Sequence, residues 1–222
     1  MNLIQLQPGY EGREVFAAII ALPQNASVFR KSYARCDYSE RNVTPVGDVE
    51  FCEDVMRKQG IQIPKPDFYP TWLQHWLHRS VYHVSNLESV VIESAVFVKR
   101  EDAYKAEPTL IRTSGSYLPP GHWSISDVVC FTQEWRYYVS NGEVVTTGWY
   151  DGSDDDEPAP ELGIDWPAGF CGAVDFGRLD TGEIALVECH HPYACGHYSD
   201  DNKAFVQWLI DGFHYMKANY SV

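Results

Sequence analysis

Apolar and polar positions follow helical spacing early in the chain and strict alternation later, so two textures divide it. Leu3 to Leu6 reads as an opening strand, and Gly12 to Leu22 holds enough good helix formers for a helix that Pro23 stops. Asp48 stands before Val49, Cys52, Val55 and Met56, which recur at three- and four-residue spacing, and Gly60 closes the pattern. That arrangement predicts a helix with an acidic cap at its start and a glycine stop. Ile61 to Ile63 alternates as a short strand. Pro70 costs nothing in a first helical turn, and from it Trp72, Trp76, Arg79 and Tyr82 or His83 fall along one flank of an expected helix. Such an aromatic stripe is more often core than binding surface, because these rings bury large areas.

From Val90 onward the alternation takes over. Strand signals cover Ser94 to Lys99, Asp127 to Phe131, Trp135 to Ser140, Glu143 to Tyr150, Gly172 to Gly177 and Glu183 to Cys189. Asn141-Gly142 is a strong two-residue hairpin turn. The acidic stretch Asp151 to Pro160 reads as a solvated excursion from a hairpin, without the ligand spacing of a calcium loop. A last helix is expected over Asn202 to Tyr220, where Phe205, Trp208, Leu209, Phe213 and Met216 share a face that should pack on the sheet. No internal repeat or low-complexity linker interrupts the chain, which places any domain border near Ser85.

Composition changes this picture in one respect. With 17 Lys and Arg against 31 Asp and Glu the formal charge is −14, a field that repels phosphate backbones and disfavours nucleic acid as partner. The apolar run from Val15 to Pro23 is too short to span a bilayer, so neither membrane helix nor signal peptide is expected. The 6 cysteines form no dense framework and no C-x-x-C pair, which fits free thiols in the cytoplasm. Two glycosylation sequons, at Asn25 and Asn42, carry no weight without a secretory signal.

Candidate chemistry concentrates in Ala173 to His190, two apolar strands that each carry an acid inside the hydrophobic pattern. A charge in a core strand costs several kcal/mol unless a partner compensates it, and a divalent cation is a strong compensator. If Thr181-Gly182 is a two-residue turn, Asp175 stands opposite Glu188, and His190 follows on the same face; a three-residue connection would separate the two acids. Paired carboxylates with a third ligand suit magnesium, while edge acids wetted by solvent are the plainer account. The run Cys189 to His197 invites a zinc reading, but its spacing matches no finger, ribbon or knuckle. His75 and His78 read as partly buried or surface histidines. Lys99 ends an apolar strand from which its ammonium could reach a phosphate, Lys105 lies on the loop beyond, and Arg136 interrupts an aromatic strand where its guanidinium could grip a carboxylate or phosphate at two points.

Taken in order, these pieces resemble the ATP-grasp superfamily, and within it a bacterial and phage clade characterised by two arginines and a lysine. The matching segments are Asp67-Phe-Tyr-Pro with Arg79, Val96-Phe-Val-Lys99 with Lys105, Ser126 to Arg136, and Asn141-Gly142 leading to Tyr150-Asp-Gly. Ala173-Val-Asp175 and Leu186-Val-Glu188 followed by Gly196-His-Tyr198 complete the series, which covers most of the chain from about Gly47. The resemblance implies an α+β fold of two α+β lobes with antiparallel sheets gripping ATP (residues 86–222), preceded by a small α/β N-terminal region (residues 1–85). It further implies nucleotide contacts from Lys99, Lys105, Glu134 and the linking strand Val128, Val129, Cys130 and Phe131, with adenine near that strand. Arg79 and Arg136 would bind phosphate or the substrate carboxylate, and Asp175, Glu188 and His190 would hold Mg2+. His190 stands where the family usually has asparagine, and Arg100 where it usually has proline. The implied activity is ATP-dependent ligation of a small-molecule or peptide carboxylate to an amine through an acyl phosphate, forming ADP. A nucleotide-binding or partner-binding protein of the same fold with impaired catalysis is the alternative. Oligomeric state and the identity of acid and amine are left open by the sequence.

Overall fold

The computed structural model describes residues 2–30, 42–85, 94–101, 110–112, 120–153 and 157–222. The N-terminal part is a three-stranded parallel sheet in the order β2, β1, β3, formed by β1 (Asn2–Leu6), β2 (Ala26–Arg30) and β3 (Val43–Val46). Helix α1 (Arg13–Ile20) connects the first two strands. Helix α2 (Val49–Lys58) starts where the sequence places it, because the Asp48 carboxylate accepts from the Phe51 amide at 2.8 Å and satisfies an otherwise unpaired donor of the first turn. Its inner face is Phe51, Cys52, Val55 and Met56, all buried.

Two predicted elements change. Ile61 to Ile63 is reduced to a single bridge from Ile61 to Ser221. The helix expected from Pro70 through Tyr82 is a 3-10 helix over Thr71–Trp76 that closes at Leu77, after which His78 has a positive φ of 47° and β4 (Val81–Ser85) begins. The aromatic stripe is core as read: Trp72 packs edge-on to Trp166 and Phe170, and Trp76 edge-on to Phe176. Its spacing suits a tight turn as well as an α-helix, and the β-branched Val81 and Val84 then favour a strand. Arg79 therefore sits on a connection, not on a helix.

The remaining strands make two four-stranded antiparallel sheets among the described residues. One runs β4, β7 (His122–Asp127), β5 (Val96–Arg100), β6 (Leu110–Arg112); the border expected after Ser85 thus falls at the end of a strand that belongs to this sheet. The other runs β11 (Ile184–His190), β10 (Gly172–Leu179), β8 (Phe131–Ser140), β9 (Glu143–Gly152). Residues 128–130, expected within a strand, are the connection from β7 to β8. Asn141 and Gly142 turn the β8–β9 hairpin with φ of 52° and 80°, the left-handed pair a tight two-residue turn requires.

Helix α3 (Asn202–Tyr220) joins the halves. Asp201 caps it by accepting from the amides of Lys203 and Ala204, and its buried face carries Phe205, Trp208, Leu209, Phe213 and Met216 as the periodicity predicts. Phe205, Trp208 and Leu209 share a core with Ile4, Leu6, Val15 and Ala18 of the N-terminal layer and with Tyr138 and Ala173 of the β8–β10 sheet. Phe213 and Met216 pack on Phe51, Val55 and Met56. Truncating any of the buried aromatics to alanine removes about 3–5 kcal/mol by loss of transfer energy and cavity formation. No helix among the described residues is long and apolar enough to cross a membrane.

Candidate active site between two sheets

The site is built on the face of the second sheet that alternation leaves free of its aromatic core. Along β8, Trp135 and Tyr137 enter the core beside Phe176, so Glu134 and Arg136 take the opposite face. Along β10, Val174 and Phe176 join the same core and Asp175 takes the site face. Register does the rest: Asp175 pairs with Arg136 on one side and with Glu188 on the other.

The hairpin reaches that register by an unexpected route. Arg178 pairs with Ile184, Gly177 with Ala185 and Phe176 with Leu186, so the β10–β11 connection is one residue longer than the two-residue turn read at Thr181-Gly182. That connection alone would send Asp175 and Glu188 to opposite faces. A bulge at Val187 compensates, because the ladder resumes with Asp175 opposite Glu188 and Val174 opposite Cys189. Leu186 and Cys189, three apart, consequently both lie in the aromatic core, while Glu188 and His190 project into the site.

Four charged groups interlock there. Arg136 grips fully buried Asp175 with two parallel bonds, Nε to Oδ1 at 2.7 Å and Nη2 to Oδ2 at 2.6 Å. Burial works against the guanidinium charge, but the Asp175 carboxylate and its hydrogen bonds outweigh it and hold Arg136 well above its usual pKa. Tyr150 and Tyr198 flank the guanidinium, with ring centroids 5.6 and 5.2 Å away. Glu188 is paired with Lys99, which crosses from β5 of the other sheet and lies 3.6 Å from the Phe68 ring centroid. Glu188 also meets His190 Nε2 at 2.6 Å. Glu134 accepts from the Tyr150 hydroxyl, yet its own burial, with Asp175 and Asp151 nearby, raises its pKa.

Between the sheets a cavity of about 250 Å³ opens onto these groups. Phe97, Val129, Phe131 and Val187 give it apolar walls, and Ser126, Asp127, Glu134 and Glu188 give it polar ones. Tyr150 separates it from a second, more polar cavity of about 450 Å³, lined by Arg13, Thr147, Tyr198 and Asp200 among others.

Of the residues expected from the sequence, the structure brings Lys99, Glu134, Arg136, Asp175, Glu188 and His190 into one cluster with Val129 and Phe131 beside it. Val128 and Cys130 are exposed and line neither cavity, since alternation along the β7–β8 connection points them outward. Lys105 lies outside the described residues. Arg79 lines the first cavity, but the grip on phosphate or carboxylate expected of it is replaced by another use: both Nη1 hydrogens go to the carbonyls of Leu77 and Leu186 and an Nη2 hydrogen goes to Val187. Sequence reasoning missed Tyr69, Phe97 and Tyr150, aromatic residues whose patterning is indistinguishable from core until the sheets are placed together.

The acids fit a divalent cation. Asp175, Glu188 and His190 offer ligand atoms within 4.8 Å of one another, and carboxylate oxygens are the donors magnesium prefers. The site already balances its two carboxylates with Arg136 and Lys99, so a cation would enter by taking Glu188 from Lys99 and leaving that ammonium for an anion. The zinc reading gains nothing: Cys189 lies in the aromatic core, away from the face that carries His190.

A search of curated proteins found no match. Among solved structures, the chain resembles D-cycloserine synthetase DcsG at 14% identity and TM-score 0.54, covering 95% of this chain and 99% of that one. D-alanine–D-alanine ligase from Bacillus anthracis aligns at 10% identity and TM-score 0.54, covering 98% and 99%. A RimK domain ATP-grasp protein from Sphaerobacter thermophilus aligns at 11% and 0.53, covering 93% and 99%. At such identities the likeness is one of fold. The model of the ATP-grasp domain, family 2 of the clade named for two arginines and a lysine, matches residues 76–208, from the 3-10 helix through both antiparallel sheets into α3, and the chain belongs to that family.

Proposed function

We propose that this chain is an ATP-dependent, ADP-forming ligase that joins a carboxylate to an amine. The observation that carries the reading is the convergence of Asp175, Glu188 and His190 with Lys99 at the mouth of a cavity with apolar walls, between two antiparallel sheets. The apolar walls suit a purine, with Val129 and Phe131 beside the ring. Asp175, Glu188 and His190 would hold Mg2+, which when bound neutralises phosphate oxygens. Lys99, once released from Glu188, neutralises the phosphoryl group in flight, and Arg136 with Tyr150 orients the acid from the second cavity. The acid's carboxylate oxygen attacks the terminal phosphorus, ADP leaves, and the amine then attacks the acyl carbon and expels phosphate. Arg13 and Asp200 give the second cavity charges of both signs, which suits an amino acid or short peptide. No nucleophilic side chain is required, because alignment and charge neutralisation supply the catalysis.

The test is ADP release with ATP and Mg2+ across pooled amino acids and peptides. Turnover is expected in the wild type and loss of at least about a hundredfold in Lys99→Ala and Glu188→Ala, the scale for removing a group that stabilises transition-state charge. Unchanged turnover in both variants would remove these roles. A second reading, a nucleotide binder without turnover, is favoured by the closed charge balance of the site and by His190 in place of asparagine. Calorimetry separates the two, since that reading expects ATP and Mg2+ to bind with no ADP formed on any pool.

A further inference from the structure

Strand β11 changes face at Val187, and the change decides whether a site exists. Ile184 and Leu186 pack into the aromatic core with Phe176. Had alternation continued, Glu188 and His190 would have followed them into that core. The extra residue instead returns Cys189 to the core and sends Glu188 and His190 toward Asp175. A bulge interrupts the ladder and leaves carbonyls that need another donor. Arg79 supplies it from the preceding connection: Nη1 donates to Leu186 O at 2.7 Å and Nη2 to Val187 O at 3.2 Å, while Nη1 also donates to Leu77 O at 3.1 Å. Its guanidinium carbon is held 5.6 Å from the Tyr69 ring centroid and 5.8 Å from that of Phe131.

We propose that Arg79 is a positioning residue whose planar fork clamps the bulge at Val187, and so sets the face and spacing at which Glu188 and His190 meet Asp175. The geometry explains why an arginine is needed. A lysine keeps the charge but cannot hold carbonyls of adjacent residues with two coplanar donors while also anchoring Leu77. That the clamped residues serve a metal–nucleotide site rests on the function proposed above; the clamp itself does not.

Native cysteines report on it. Cys189 immediately follows the clamped segment and is 5% exposed, whereas Cys52 and Cys171 are buried in other parts of the core. The full chain and its Arg79→Gln and Arg79→Lys variants are treated with iodoacetamide under native conditions, and alkylation of each cysteine is followed by peptide mass spectrometry. Both variants should alkylate Cys189 at least about tenfold faster, the scale for losing hydrogen bonds from a charged donor, with Cys52 and Cys171 unchanged. In parallel, Mn2+ affinity measured by electron paramagnetic resonance in the presence of ADP should fall about tenfold in both variants, with metal-free ADP affinity within about twofold of wild type. Wild-type protection of Cys189 in both variants overturns the proposal. So does full rescue by Arg79→Lys, which would assign the effect to charge, and so does parallel exposure of Cys52 and Cys171, which would make Arg79 a general stabiliser. A wild type that binds neither ADP nor Mn2+ would sink the functional reading while leaving the alkylation result to decide on the clamp.

Discussion

Arg136 and Asp175 form the tightest polar contact of the site, and their burial makes it a structural commitment as much as a chemical one. A buried pair of this kind repays its desolvation only through good geometry, and the two parallel bonds provide that. Glu134, on the same face of β8, is the less settled group: its burial and the nearby Asp175 and Asp151 carboxylates favour the neutral form, against the Tyr150 hydroxyl and Arg136. The sign of its linkage follows. Below the ordinary carboxylate range Glu134 is protonated in folded and unfolded chains alike and costs the fold nothing. As pH rises the unfolded chain ionises first, and above the raised value the folded chain carries a poorly solvated charge. Glu134→Gln, which can still accept from Tyr150, should therefore melt higher than the wild type at neutral and alkaline pH and converge with it in acid, in scans without nucleotide. A gap that widens toward low pH would reverse the assignment.

Among the elements, the hairpins show which features a linear reading reaches. Asn141-Gly142 between alternating strands specifies its own turn, because both positions need a positive φ that few residue pairs supply. The cost of changing it can be stated: a Cβ on Gly142 would stand 2.9 Å from Pro167 O with φ at 80°, so Gly142→Ala should lower stability by about 1–2 kcal/mol, read as a lower denaturation midpoint at unchanged slope. The β10–β11 hairpin was legible only in its result. Asp175 does stand opposite Glu188, but through a longer connection and a bulge whose effects cancel, and no local signal at Val187 announces it. The clue lay in Leu186 and Cys189, apolar residues three apart in a strand, which strict alternation cannot place on one face. The helix read through Tyr82 failed for a related reason. Spacing of Trp72 and Trp76 is satisfied by one 3-10 turn, and pairing of Val81 to Ser85 with β7 outweighs helical propensity beyond it. Aromatic residues such as Tyr69 and Phe97 acquire a role only when β5 and β8 face each other, a fact of tertiary structure that no window of sequence contains.

At the scale of the whole molecule, the formal charge of −14 stands against a cluster of cations gathered to meet an anion. A nucleotide approaching from solution meets the net field first and the local one last, since Lys99 and Arg136 are already paired with acids and contribute little beyond contact distance. At about 0.01 M salt the screening length is near 30 Å and the repulsion covers the whole approach; at about 0.15 M it is near 8 Å and most of that repulsion is gone, while interactions inside the cleft are screened far less. Association of ATP should therefore become faster with added salt over this range, opposite to the behaviour of a basic phosphate-binding protein. Stopped-flow measurement with a fluorescent ATP analogue at fixed free Mg2+ reads the rate directly, with neutral glycerol as a viscosity control. A rate that falls with salt would mean that the cleft projects a positive field well beyond its rim, and that Lys99 is not neutralised by Glu188 before the nucleotide arrives.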